Sequence, residues 1–369
     1  MNTTALPLSN VRVLDMSRVL AGPLCTMLLG DLGADVIKVE RPHVGDDTRQ
    51  WGPPFDARGE SAYFLSTNRN KRSLAADLAD ASDRALLQSL IAKADVVVEN
   101  FLPGALERCG LDATAMLARD ERLLWCTIRG YPLEHRRPGY DFAVQAESGW
   151  MSVTGDPDGV PVRTAVALVD VLTGKDAAIS ILAALVGGRQ RPAAERHLDV
   201  TLAGSAAAAL VNVAQNVLVT GCDASRWGNS HANLVPYQVF QTADRPLVIA
   251  VGNDRQWRSL CSVLDEPSPL SLELWATNAG RVTDRDACVA TVQAQLLRRG
   301  ADAWRDRLDA VGVPVGRIRT VLEALHETAA SPLTGVPSSV GGVVRRPPPL
   351  LGEHSAEIRA AGWGTPAAS

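Results

Sequence analysis

The sequence predicts an α/β protein whose larger part is a parallel sheet covered by helices on both faces. Three observations lead there. Residues 11–16, 35–40, 95–99 and 123–128 are short, largely continuous apolar runs, as expected of strands buried on both sides. Helical patterns fill the intervals between them. The chain has 369 residues, too many for a single core, and its character changes near Gly221.

Residues 11–16 read as the first strand, and the helical pattern over 23–32 stops at Gly33. Residues 35–40 form a second strand, followed by Asn70-Lys71-Arg72-Ser73 as a loop before a helix over 77–93. Residues 95–99 and 123–128 are the third and fourth strands, with a short helix beginning at Ala105 between them. A helix after Asp170 runs to about Val186, where Gly187-Gly188 and Pro192 stop it. Residues 198–202 read as a strand, and an Ala-rich buried helix follows. Beyond Gly221, a strand over 246–251 ends at Gly252-Asn253, with helices near 257–264 and 286–299. The expected organisation is a large domain over 1–200, a linker helix over 201–224, a small domain over 225–312 and a return to the large domain over 313–369. Pro347-Pro-Pro349 suits an extended segment pinned to a surface.

Composition narrows the function. The chain is 46% apolar and 21% charged, with 37 basic and 41 acidic residues and a net charge of −4. Without a long basic run, nucleic acid is not an expected partner. No apolar span is long enough for a membrane helix, and the first residues lack a signal-peptide pattern. Six scattered cysteines with no C-x-x-C pair suit reduced thiols in a cytoplasmic protein. The six histidines show no metal spacing, so no metal is expected. Phosphate-binding glycine motifs and a G-x-S-x-G elbow are absent.

Ligands of parallel sheets sit outside the carboxyl ends of the strands. That rule selects residues 17–23, Arg41, Asn100-Phe101 and Arg129-Gly130. Arg41, Lys71, Arg72 and Arg108 suit phosphate groups, and Phe101 can stack on a base. Asp170 is the only charged residue between Arg163 and Lys175. An isolated carboxylate among aliphatic side chains must be compensated. Its position before a helix leaves two readings open, an N-cap and a reactive carboxylate.

Several segments then resemble a family. They are Leu14-Asp-Met-Ser-Arg-Val-Leu-Ala-Gly-Pro23, Gly30-Asp-Leu-Gly-Ala-Asp-Val-Ile-Lys-Val-Glu-Arg41, Asn68-Arg-Asn-Lys-Arg-Ser73, Val98-Glu-Asn-Phe-Leu-Pro-Gly-Ala-Leu-Glu-Arg108, Gly139-Tyr-Asp-Phe-Ala-Val-Gln145 and the run from Asp170 to Gly174. In this order they resemble the class III CoA-transferases, also called CaiB/BaiF-like proteins, a group that includes the α-methylacyl-CoA racemases. Within it the chain is most similar to succinyl-CoA:glutarate-type transferases, through residues 45–55, 226–238 and 346–352.

The resemblance implies a Rossmann-like large domain, a smaller inserted α/β domain and an interlocked, ring-like homodimer. It implies acyl-CoA and a carboxylic acid as substrates, with no permanently bound cofactor. It implies a CoA site from Arg41, Lys71, Arg72, Asn100, Phe101 and Arg108, and Asp170 as nucleophile, with helix N–H groups keeping it ionised. Arg18, Leu20, Tyr140, Gly252 and Asn253 are the expected substrate and loop residues, Gly252-Asn253 as a closing loop. Arg18, Arg49 and Arg163 could pair with the distal carboxylate of a dicarboxylic acid. The implied route is attack of Asp170 on a thioester, a mixed anhydride, then an aspartyl-CoA thioester. Tyr140 stands where the racemases carry a histidine, which favours transfer over epimerisation. An acyl-CoA epimerase and a CoA-binding protein that has lost turnover are the alternatives, the latter because the loops over 130–138 and 326–346 are short.

Overall fold

In the computed structural model, residues 5–135, 137–188, 191–264, 272–327 and 335–364 are described. The chain forms two compact units, the first from residues 1–151, 163–224 and 331–369 and the second from 152–162 and 225–330.

The first unit opens β1 (Arg12–Asp15), α1 (Ala21–Asp31), β2 (Asp35–Glu40), α2 (Ala62–Thr67), β3 (Lys71–Ala75), α3 (Ala81–Ile91), β4 (Val96–Glu99), α4 (Ala113–Arg119) and β5 (Leu124–Arg129). It continues with α5 (Asp141–Glu147), the single turn α6 (Trp150–Val153, whose last two residues belong to the second unit), α7 (Leu168–Val186), α8 (Ala193–Arg196), β6 (His197–Thr201), α9 (Leu202–Ala208) and α10 (Val211–Thr220). The six strands lie in the order β3-β2-β1-β4-β5-β6, and every pairing is parallel. The order reverses direction beside β1, so a crevice opens between the ends of β1 and β4. One apolar cluster joins Val13, Val36, Val96 and Cys126 to Cys25, Val169 and Ile181. The other joins Leu14, Ile37, Val97 and Trp125 to Leu87, Leu117 and Trp363. The sheet therefore has a core on each face, as its continuous apolar runs require.

Two expectations change here. Residues 70–73 are not a loop, because Lys71–Ala75 is the edge strand, in register with Val36–Glu40. The linker over 201–224 is not one helix, because α9 and α10 meet at a 72° bend. Glycine permits one close contact that matters for the site. A Cβ on Gly174 would lie 2.6 Å from the Ala21 carbonyl oxygen, so only glycine lets α7 lie this near α1.

The second unit holds β7 (Tyr237–Phe240), β8 (Leu247–Ala250), α11 (Asp254–Val263), α12 (Asn278–Thr283), α13 (Arg285–Leu296), α14 (Ala301–Asp309), β9 (Val315–Arg317) and α15 (Val321–Glu327). Its antiparallel sheet, β7-β8-β9, packs Phe240, Leu247 and Ile249 against Trp257, Val292, Leu296 and Trp304. The return expected at residue 313 comes later, because β9 pairs with β8 and keeps residues 313–330 in this unit.

Back in the first unit, residues 345–363 cover the edge strand. Asn70 binds Arg345 and Arg346 backbone, Ser73 binds Gly352 and His354 backbone, and Arg72 reaches Glu357 on α16 (Ser355–Ala361). Covering an edge in this way blocks pairing with other chains. The proline segment belongs to this strap, since Arg49 donates to the Pro349 carbonyl. Within the loop expected to be short, 328–334 lie outside the described residues.

The sheet's carboxyl edge rests on buried charges. Lys71 Nζ lies 2.9 Å from Asp15 Oδ2, both side chains fully buried, and also donates to the Pro23 carbonyl and Asn68. Asp15 further accepts from Ser17 and Thr26. Burial opposes its charge, yet the Lys71 and Lys38 ammoniums and these donors hold its carboxyl well below the usual range. Removing one partner of such a pair strands the other. Lys71→Met should therefore cost about 3–5 kcal/mol of stability in a denaturant titration.

Candidate active site

Several of the expected residues come together at the strand ends. A cavity of about 280 Å³ lies at the carboxyl edge of the first unit's sheet. Its walls come from the segment after β1 (Arg18 to Ala21), the segment after β4 (Asn100 to Pro103) and the segment after β5 (Arg129 to Leu133). Tyr140 and Asp170 close it. The structure thus gathers Asp170, Arg18, Leu20, Asn100, Phe101 and Tyr140 around one space. A second cavity of about 190 Å³ shares Arg18 and Phe101 with the first and holds Arg41. Its remaining walls include Met16, Val39, Ala76 and Leu78.

The turn after β1 is held from outside. Asn100 accepts from the Arg18 N–H at 2.9 Å and donates to the Arg18 carbonyl at 2.8 Å. The Val19 N–H faces both Asp46 carboxylate oxygens at 3.2 Å. Asp46 is in turn paired with buried Lys38 at 2.9 Å. These bonds keep Val19 at φ 73°, a conformation costly for a β-branched residue. Asn100 is therefore a brace for the Arg18 turn.

Three of the expected anion-binding residues stand elsewhere. Lys71 is consumed by Asp15. Arg72 is 4% exposed and pairs with Asp35 and Glu357 while donating to the Trp363 carbonyl. Arg108 is exposed on the short turn Glu107–Cys109 and lines neither cavity. Polar edge-strand residues read as loop ligands because their partners are remote in sequence. Arg41 is exposed and shares the Asp47 carboxylate with Arg18. Arg49 is buried between Glu40 and Glu60, so it is no carboxylate receptor. Arg163 is exposed near the Phe142 ring. In the second unit, Asn253 caps α11 through the Gln256 N–H while Gln256 accepts from the Gly252 N–H, so these residues form a helix start rather than an open loop.

Asp170 is not an N-cap. Ala167 occupies that position, and Asp170 is the third residue of α7, half-buried in the first turn. Asp141 stands in for the cap. Its Oδ1 accepts from the Val169 N–H at 2.8 Å and the Asp170 N–H at 3.2 Å. Burial pushes the Asp170 carboxyl up to about 7, and the Asp141 carboxylate adds to the rise. The positive end of α7 acts in the opposite sense. The expectation that helix N–H groups would hold Asp170 ionised therefore gives way, because Asp141 takes them.

Sequence reasoning also missed Tyr63 on α2. Burial and the carboxylates of Asp170, Asp141 and Asp46 push its phenol up. Trp51 packs edge-on against it, with ring centroids 5.0 Å apart. No periodicity marks either residue, since Tyr63 sits on a six-residue helix and Trp51 on an irregular segment. No group of metal-ligating side chains occurs among the described residues.

A carboxylate raised toward neutrality and facing a cavity at a parallel sheet's switch point is the kind of site at which α/β enzymes bind their ligands. Comparison with known proteins specifies which kind. Residues 8–355 match CoA-transferase family III. The chain is 40% identical to the succinyl-CoA:glutarate CoA-transferase of Mus musculus, over 95% of this chain and 85% of that protein. It is 38% identical to the succinate–glutarate CoA-transferase of Agrobacterium fabrum, over 96% and 95%. A crystal structure of a CaiB/BaiF family protein from Brucella suis superposes with a TM-score of 0.83 at 37% identity, covering 97% of this chain and 99% of that one. The chain belongs to CoA-transferase family III.

The raised Asp170 carboxyl has a stability consequence. Between 3.8 and about 7 the folded chain holds a proton that the unfolded chain has released. Stability contributed by this group is therefore lost as pH rises through that window. Asp170→Asn should raise the melting temperature by a few degrees at about pH 8 and by much less at about pH 4, read by calorimetry.

Proposed function

We propose that this family III CoA-transferase moves CoA from an acyl-CoA such as succinyl-CoA to a small dicarboxylic acid, with Asp170 as the covalent nucleophile. The observation that carries the reading is Asp170 itself, a carboxylate facing the cavity with its basicity raised by burial. The substrate class is supported by relatives named for succinyl-CoA and glutarate.

The ionised Asp170 attacks the thioester carbonyl. The thiolate of CoA leaves, and the mixed anhydride remains. The thiolate then attacks the aspartyl carbonyl, releasing the donor acid and leaving an aspartyl-CoA thioester. An acceptor carboxylate runs the same two exchanges in reverse, and Asp170 is regenerated. Each step trades one acyl bond for another, so no external energy source is required. A more basic carboxylate is the stronger nucleophile once ionised, which is what the raised value supplies near neutral pH.

CoA enters as a substrate. The smaller cavity suits its nucleotide end, with apolar walls at Met16, Val39, Ala76 and Leu78 for the base and Arg41 at its rim for phosphate. The acyl arm then passes the Arg18–Phe101 pair, whose guanidinium lies 5.7 Å from the ring centroid, toward Asp170. Arg18 is the expected distal-carboxylate partner, since its buried Nε lacks a hydrogen bond. Tyr140, 61% exposed, lies at the acyl end. A homodimer is supported by α10, which buries no residue and leaves Val211, Leu218 and Val219 more than two-thirds exposed. Among the described residues no single helix is long and apolar enough to cross a membrane. Six free thiols suit a reducing, cytoplasmic setting.

Incubation with succinyl-CoA and a panel of acids, with glutarate among them, should form the new acyl-CoA. Asp170→Ala should lower kcat by about 10⁴-fold or more. In the wild type, kcat/KM should rise with pH through about 7, since the ionised form attacks. Exchange of the acyl α-proton without CoA transfer would instead identify an epimerase. Tight CoA binding with neither activity would identify a binding protein.

A further inference from the structure

The first turn of α7 accounts for all of its backbone donors, and the account leaves Asp170 with none. The Leu168 N–H donates to the Val166 carbonyl, and the Val171 N–H to the Ala167 carbonyl. The two between them, on Val169 and Asp170, both donate to Asp141 Oδ1. An aspartate in a helix's first turn ordinarily gains from the free N–H groups there. Here another carboxylate, from α5, has occupied them.

Asp141 is held for this task. Its Oδ2 accepts from Gln145 Nε2 at 2.6 Å. Gln145 is fully buried, and its own carbonyl oxygen accepts from the Thr164 N–H at 3.0 Å and the Thr164 hydroxyl at 3.3 Å. Thr164 belongs to the segment that leads into α7. The brace thus joins α5, the approach to α7 and the first turn of α7 through one buried carboxylate, 7% exposed. A carboxamide at 141 could accept the same N–H bonds. What only aspartate adds is a negative charge beside the nucleophile.

We propose that Asp141, oriented by Gln145, is a positioning residue that withholds the α7 N–H groups from Asp170 and keeps that carboxylate basic enough to attack a thioester. The inference rests on Asp170 being the nucleophile. Other titratable groups around Asp170 are Tyr63 from α2 and, lining the same cavity, Arg18, Asp47, Arg129, Tyr131, His135, Arg137 and Tyr140. Of the helices packed on α7, α9 carries no charged side chain and α1 carries only Asp31, its last residue. Arg18, Arg129 and Arg137 are each paired with a carboxylate, of Asp47, Asp199 and Glu147 respectively. Burial, first, and the Asp141 carboxylate are the two causes of the raised basicity of Asp170, and none of these other groups is among them.

The test is the acidic limb of the kcat/KM pH profile for CoA transfer. Asp141→Asn should move that limb down by about one pH unit and lower the plateau above it, because the nucleophile becomes less basic. Gln145→Met leaves the charge but removes its donor, and should move the limb in the same direction by less. If Asp141→Asn does not fold by circular dichroism, Gln145→Met decides alone. A purely structural brace would lower the melting temperature and leave the limb in place. A limb unmoved in every folded variant overturns the proposal. The underlying reading fails separately, if wild-type enzyme given succinyl-CoA and quenched with hydroxylamine shows no modification at Asp170.

Discussion

The site depends on a buried ion pair that lines neither cavity. Asp15 ends β1, and Lys71 opens β3, yet their side chains meet at 2.9 Å beneath the sheet's carboxyl edge. Through Ser17, Thr26 and the Pro23 carbonyl the same pair grips the segment that becomes α1. A second pair, Lys38 with Asp46, holds the Val19 N–H. Desolvating four charges is expensive, and their mutual attraction offsets that only while every partner is in place. The turn from Arg18 to Ala21, one wall of the cavity, is fixed by this arrangement. Its backbone conformation at Val19 persists because the surroundings over-determine it.

Much of this could be read from residue order, and what could not has a common cause. Continuous apolar runs identified four of the six parallel strands early in the chain, and the rule for their ends selected Arg18, Arg41, Asn100 and Phe101, which line the two cavities. Residues 71–75 were illegible as a strand because lysine, arginine and serine lead it. Each is satisfied inside the fold by a group far away in sequence: Asp15, Asp35 with Glu357, and Glu40. The same polarity that suggested anion binding at Lys71 and Arg72 reports instead on internal pairing. The boundary at 313 was illegible because a three-residue strand, β9, is settled by its partner β8 rather than by its own pattern.

Asp170 was legible as unusual, but the reason lay elsewhere. An isolated aspartate before a helix suggests a cap. The cap belongs to Asp141, twenty-nine residues earlier in the chain and visible in sequence only as the neighbour of Tyr140. Stability and chemistry pull apart at this point. The burial that raises the basicity of Asp170 also makes its ionised form unfavourable in the folded protein. The fold accepts that cost at Asp170, which a tight α1–α7 contact at Gly174 and a braced α5 keep at the head of the crevice.

The most direct measurement follows an oxygen atom. In the covalent route, an acceptor acid labelled with oxygen-18 must leave one labelled oxygen in the Asp170 carboxylate when its anhydride is resolved by CoA. A single turnover from the preloaded enzyme, followed by digestion and mass spectrometry, should show one oxygen-18 in the peptide carrying Asp170 and in no other. An Asp170 peptide free of label after product has formed would contradict the account, since CoA would then have moved between acids without bonding through this carboxylate.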